Sequence, residues 1–156
     1  MTLAARTSTM DMLGATPIAA LPVRAWARVD VGDAMWKVVS EMKAKGRGAV
    51  VVEENDALVG IFTERDLVGR LDHGDVLWSH VVVRDVMTPH PTVIRPEDSL
   101  AEAIRRLVAG KRRHLPIVDA TGRPTGLLSI RDVLAFLASR FPDEIINLPP
   151  TPDHET

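Results

Sequence analysis

The stretch Gly60-Ile61-Phe62-Thr63-Glu64-Arg65-Asp66 returns 66 residues later as Gly126-Leu127-Leu128-Ser129-Ile130-Arg131-Asp132. A repeated unit of this kind buries its apolar face against its own copy, so the duplication restricts the fold more than any other feature. In both copies an apolar run precedes the Gly and a helix-patterned segment follows the Asp. The motif therefore lies where a strand hands over to a helix. The likeness runs beyond it. Met35, Val38, Val39 and Met42 fall at helical spacing, and Leu100, Ala103, Ile104 and Leu107 repeat them 65 residues on. Val83 and Val86 are spaced like Ile18 and Leu21, and Thr92-Val93-Ile94 stands in place of Ala27-Arg28-Val29. A turn at Asp119 to Arg123, one residue longer than Glu53 to Asp56, changes the offset.

These spacings divide the chain into a loose arm (1–15), a first repeat (16–78), a second repeat (79–141) and a Pro-rich, polyproline-like tail (142–156). Each repeat reads strand, helix, strand, strand, helix, an α+β (α/β) unit whose later strands form a hairpin. Asp33 is placed to cap the first long helix and Gly46 and Gly48 to stop it, while Ser99 and Glu102 form a capping box on its counterpart. The last helix sets Ile130, Val133, Leu134, Leu137 and Phe141 on one face, and Pro142 marks its end. A half of about 60 residues buries too little surface to be stable alone. Pairing the two sheets face to face supplies the missing core, with a pseudo-twofold relation that sets the motifs on opposite sides of a cleft.

At 156 residues and 46% hydrophobic content, the chain suffices for two small packed halves. A formal net charge of −2 gives no general attraction to nucleic acid or anionic membrane. No apolar run approaches the roughly 20 residues that span a bilayer, and the start lacks the pattern of a secretory signal. With no cysteine there is no disulfide framework. A soluble, unexported, cytoplasmic protein is expected, with no catalytic, transporter or DNA-binding domain expected beside the repeats.

Thr63 and Ser129 are good helix N-caps, and Asp66 and Asp132, three residues on, are placed to answer each cap's own N–H. The same geometry offers unpaired N–H groups at a positive helix end, an Arg that forks onto phosphate oxygens, and an outward carboxylate. A nucleoside phosphate fits that set, with ribose hydroxyls on Asp and phosphate on Arg. One copy would mean only a well-capped helix. Two copies with the same Arg-Asp pair favour a ligand.

With GIFTERD and GLLSIRD stand two further stretches, Asp85-Val86-Met87-Thr88-Pro89 and Arg113-His114-Leu115-Pro116-Ile117-Val118-Asp119. Together they resemble a tandem pair of CBS domains, the regulatory modules named after cystathionine β-synthase, over residues of about 16 to 141. The resemblance implies two βαββα repeats, disc-like homodimers, a regulatory rather than enzymatic role, and an adenosyl ligand (AMP, ADP, ATP or S-adenosylmethionine) in the cleft between repeats, with no other cofactor. Carried over by position, one site combines Thr63, Arg65 and Asp66 with Thr92, Arg113 and His114. The other combines Ser129, Arg131 and Asp132 with Ala27, Gly48 and Ala49. Because Gly48 and Ala49 stand where the first site has Arg113 and His114, the Asp66 site is expected to hold phosphate more tightly. His114 either adds pH dependence by facing phosphate or is a half-buried residue bonded to backbone.

Two other functions stay open: an interaction module with empty clefts, binding an unnamed regulated protein, and, less in keeping with the net charge, nucleic-acid binding. The basic cluster of Arg105, Arg106, Lys111, Arg112 and Arg113 reads as a solvated helix end, without the interleaved aromatics of a nucleic-acid surface. The five His residues show no metal-ligand spacing. Trp26, Trp36 and Trp78 lack counterparts in the other half. Trp36 either lies at a dimer interface or packs beneath the arm.

Overall fold

A computed structural model describes residues 9–22, 24–70 and 80–141. Its elements run α1 (Thr9–Ala15), a 3-10 turn (Ile18–Ala20), β1 (Ala27–Asp30), α2 (Met35–Lys45), β2 (Ala49–Glu54), β3 (Ala57–Thr63) and α3 (Glu64–Arg70), then α4 (Val83–Val86), β4 (Thr88–Pro89), α5 (Leu100–Ala109), β5 (His114–Val118), β6 (Pro124–Ser129) and α6 (Ile130–Arg140). This is an α+β fold with two hairpins. The tail, Trp78, Leu71 and Pro142 lie outside the described residues.

In the first repeat β1 lies parallel to β2, and β2 pairs antiparallel with β3. Asn55 (φ 51°) and Asp56 (φ 64°) make the left-handed two-residue turn that such hairpins favour, so Glu53 and Glu54 extend β2 instead of belonging to the turn. Met35, Val38 and Met42 are buried along α2, which ends on Gly46 at φ 59°, a backbone that costs glycine nothing. Asp33 does not cap α2. The residue before the helix is Ala34, and the Met35 N–H donates to the Val81 carbonyl at 2.9 Å, so a backbone group from the other repeat satisfies the helix start. The Asp33 carboxylate instead accepts from the Asp30 N–H at 2.9 Å and from Lys37 at 2.8 Å. On α5, Ser99 does cap the Glu102 N–H at 3.2 Å, but the Glu102 carboxylate turns to Arg105 and Arg106.

The second repeat keeps its hairpin, with Leu115 opposite Leu128, but Thr92-Val93-Ile94 is not a strand. Only Ile94 bridges to β5, its N–H donating to the Pro116 carbonyl at 2.9 Å and its carbonyl accepting from Val118 at 3.0 Å. The next rung on either side would need an N–H from Pro116 or Pro96, and proline has none.

The repeats also exchange their leading segments. Ile18 and Leu21 are buried with Ile94, Leu100, Leu107, Leu115 and Phe136 of the second repeat. Conversely, Val83 is buried with Val29, Met35, Val38, Val52 and Phe62 of the first. β4 adds to the edge of β3, pairing Thr88 with Ile61 and Pro89 with Gly60, and a proline at an edge gives up no ladder bond. A Cβ at Gly60 would strike the Met87 side chain, which would have to move. The expected loose arm is helical from Thr9 to Ala15 and docks Met12 and Leu13 on the second-repeat core. That contact is long-range, which is why the arm's own residues show no period. Between the sheets, Ala49, Val51, Ile61 and Leu127 form a third cluster, with Trp26 and Leu58 packed on it. On α6, Val133 and Phe136 are buried and Leu137 is partly so, while Ile130 and Leu134 face outward. The buried stripe is thus rotated from the expected one.

Candidate functional site

Both motifs form the expected box. The Asp66 N–H donates to Thr63 Oγ1 at 3.3 Å, and the Thr63 N–H and hydroxyl donate to Asp66 Oδ2 at 2.9 and 2.8 Å. Asp132 and Ser129 repeat this at 3.2, 2.9 and 2.7 Å. One carboxylate oxygen is therefore spent on helix initiation in each repeat.

The surroundings of the two boxes differ. A cleft of about 290 Å³ opens beside the first. Thr63, Arg65 and Asp66 come to it from the end of β3 and start of α3, Thr92 from the leading segment of the second repeat, and Arg113 and His114 from the entry to β5. All six residues expected at the first site thus share one cleft. Four residues not expected there join them: Glu64, His90, Lys111 and Arg112. Lys111 sits at φ 48°, a backbone that is uncommon for a side-chain-bearing residue and is often kept at functional sites. The basic cluster read as a solvated helix end therefore divides. Arg105 and Arg106 are held by Glu102 at 2.7 and 2.6 Å, and those hydrogen bonds, Arg105 first, bring the Glu102 carboxyl down to about 2. Lys111, Arg112 and Arg113 face the cleft.

The second cleft, about 370 Å³, is lined by Ser129 and Arg131 with Gly48, but Asp132, Ala27 and Ala49 do not reach it. Ala27 and Ala49 are fully buried between strands and core, and Asp132 is covered by arginines. The expected loss of phosphate partners is also corrected. Arg113 and His114 line both clefts, because the entry to β5 is the wall between them, and Lys43 and Arg47 add charge to the second. Lys43 and Arg47 carry no motif. Their place follows only from α2 ending at this wall.

His114 is half-buried. Burial, its largest influence, lowers its pKa from 6.5, and the charges of Arg47 and Arg113 act in the same direction against those of Glu64 and Asp132. The imidazole is thus neutral at pH 7. Because the folded pKa lies below the unfolded one, stability is full above about pH 6.5 and declines as pH falls toward the folded value. Urea unfolding between pH 7 and 5 should show a steeper loss for wild type than for His114→Gln, and equal slopes would remove His114 from the account.

With this geometry in place, the similarities to known proteins fall into line. Residues 18–73 and 83–139 each match the CBS domain. The chain belongs to the CBS domain family. It carries two CBS repeats in tandem, and its relatives place it among CBS pairs. It is 39% identical over 109 residues to the arabinose 5-phosphate isomerase KdsD of Pseudomonas aeruginosa, covering 69% of this chain and 33% of that protein. A CBS-domain protein from Burkholderia ambifaria is 27% identical with a TM-score of 0.69, covering 86% of this chain and 96% of the other. CBSX2 in complex with AMP is 25% identical with a TM-score of 0.69, covering 80% and 97%. The CBS pair spans between a third and a half of the first two curated relatives it matches. Among the described residues, no helix is long and apolar enough to cross a membrane, and no group of His, Asp or Glu is disposed to hold a metal ion.

Proposed function

We propose that this CBS pair is a regulatory module that takes an adenosyl ligand, AMP, ADP, ATP or S-adenosylmethionine, in the Asp66 cleft. The observation that carries the reading is the convergence of Thr63, Asp66, Lys111, Arg112 and Arg113 on one cleft of about 290 Å³. Asp66 suits ribose hydroxyls, the three cations suit phosphate, and Ile61 and Pro91 in the same cleft give a base an apolar wall. The AMP bound to CBSX2 supports the choice of ligand class. Binding would tighten the wall between the repeats, and that change of packing is the signal. Trp36 at 64% exposure on α2 and Leu134 at 58% on α6 support association with a second copy or a regulated protein. The described part of the arm, α1, rests on α5, and the exposure of Trp36 favours that role over packing beneath the arm.

Thermal unfolding against the four compounds tests the reading. A ligand at 100 times its dissociation constant adds about 2.7 kcal/mol, a midpoint rise of roughly 5–10 °C for a chain of this size. No rise with any of them would turn the search to a protein partner for the exposed helices.

A further inference from the structure

Beside the second cleft, an arginine of the first repeat lies over the carboxylate of the second motif. Asp132 is only 8% exposed, and its Oδ2 is committed to Ser129. Its Oδ1 is buried without a hydrogen-bond partner and faces Arg47 Nη1 at 3.6 Å and Arg24 Nε at 3.7 Å. The Arg47 side chain is 13% exposed, donates through Nε to the Ala25 carbonyl at 2.8 Å, and keeps Nη2 buried and unpartnered. A guanidinium thus covers the one carboxylate oxygen that the capping box leaves over. Its distance is longer than the 2.7–2.9 Å of a close charge-assisted bond, and both groups stay under-satisfied.

The repeat shows where the two halves differ around this arginine. The counterpart of Arg47, 65 residues on, is Arg112, and the counterpart of Lys45 is Gly110. Without a Cβ, Gly110 leaves room for the Arg112 guanidinium to fold back against it, and any Cβ there would strike that guanidinium. Lys45 stands at that position in the first repeat, where Arg47 reaches across to Asp132. The glycine-for-lysine difference thus accompanies two placements of the equivalent arginine, Arg112 along the Asp66 cleft and Arg47 on Asp132.

We propose that Arg47 is a specificity-determining latch that covers Asp132 and limits each chain to a single adenosyl ligand. The inference rests on the reading above that a motif Asp takes ribose hydroxyls. Removing the charge while keeping the aliphatic stem, as Arg47→Met, uncovers Asp132 and leaves Lys43, Arg113 and Arg131 in the cleft for phosphate.

Isothermal titration of the full chain with AMP tests both statements separately. Wild type should bind one AMP, with affinity about 10- to 100-fold weaker in Asp66→Asn. Arg47→Met should bind one more than wild type, and Arg47→Met with Asp132→Asn should lose the addition. The unfolding midpoint without ligand shows that each variant is folded, and Arg47→Gln serves if Arg47→Met is not. Two AMP per wild-type chain, one of them lost in Asp132→Asn, would overturn the latch and leave the Asp66 reading standing. No AMP on wild type, with one gained in Arg47→Met, would overturn the Asp66 reading and keep the latch. No gain in a folded Arg47 variant overturns the latch in every case.

Discussion

Phe62→Ala should lower the stability of the chain by about 3–5 kcal/mol, the cost of emptying a large, fully packed aromatic site. Phe62 is 0% exposed on β3, opposite Val50, and packed among Val29, Met35, Val38, Val52 and Val83. Its neighbours come from both repeats, because Val83 belongs to the exchanged leading segment. The cavity therefore cannot close by a shift within one repeat alone. For a chain of this size the loss is a midpoint drop of roughly 6–20 °C. Val108→Thr, at an exposed position on α5, should stay within about 0.5 kcal/mol and serves as the control. Urea unfolding at constant m-value measures both, and a Phe62→Ala loss below about 1 kcal/mol would show that this core is not the shared one described here. A second consequence is local. Phe62 precedes Thr63, so the cavity loosens the cap on which the first motif stands.

What could be read from the residues alone follows from the range of each interaction. The two capping boxes, the left-handed end of α2 at Gly46 and the buried stripes of α2 and α5 are set within four or five residues of sequence, and they were legible. The exchange of leading segments was not, since Ile18 beside Leu100 and Val83 beside Phe62 are contacts between distant residues with no local mark. The missing first strand of the second repeat was written in Pro96 and Pro116, but only the parallel register shows that both prolines fall at the rungs that would extend it. The stripe of α6 failed for another reason. Apolar residues cover two overlapping faces of that helix, and periodicity alone does not say which one the core takes.

The site divides the same way. The motif spacing pointed to Thr63 and Asp66 and the family resemblance to Arg113 and His114, and the four line one cleft. Lys111 and Arg112 were misread because a run of cations after a helix looks the same whether it meets solvent or a cleft. Arg47 carried a signal that went unused: aligning the halves sets Lys45 against Gly110 and Arg47 against Arg112, a difference that acquires meaning only when the guanidinium is seen on Asp132.

Asp66→Asn is the substitution that separates the ligand role of the first motif from its role in the fold. Asn retains a side-chain oxygen at the Asp66 Oδ2 position, able to accept from the Thr63 N–H and hydroxyl as the carboxylate does at 2.9 and 2.8 Å, so the start of α3 survives. What it gives up is the negative charge offered to ribose hydroxyls. Hydrogen bonds to a charged group are worth about 1.5–3 kcal/mol, so AMP affinity should fall about 10- to 100-fold while the midpoint without ligand stays close to wild type. Asp66→Ala removes the box as well and should lose affinity and about 0.5–1.5 kcal/mol of stability together. Asp132→Asn should leave AMP affinity little changed, because Arg47 already covers that carboxylate. Equal losses from Asp66→Asn and Asp132→Asn would mean that both clefts are open in solution, and an unchanged affinity in Asp66→Asn would move the ligand out of the Asp66 cleft.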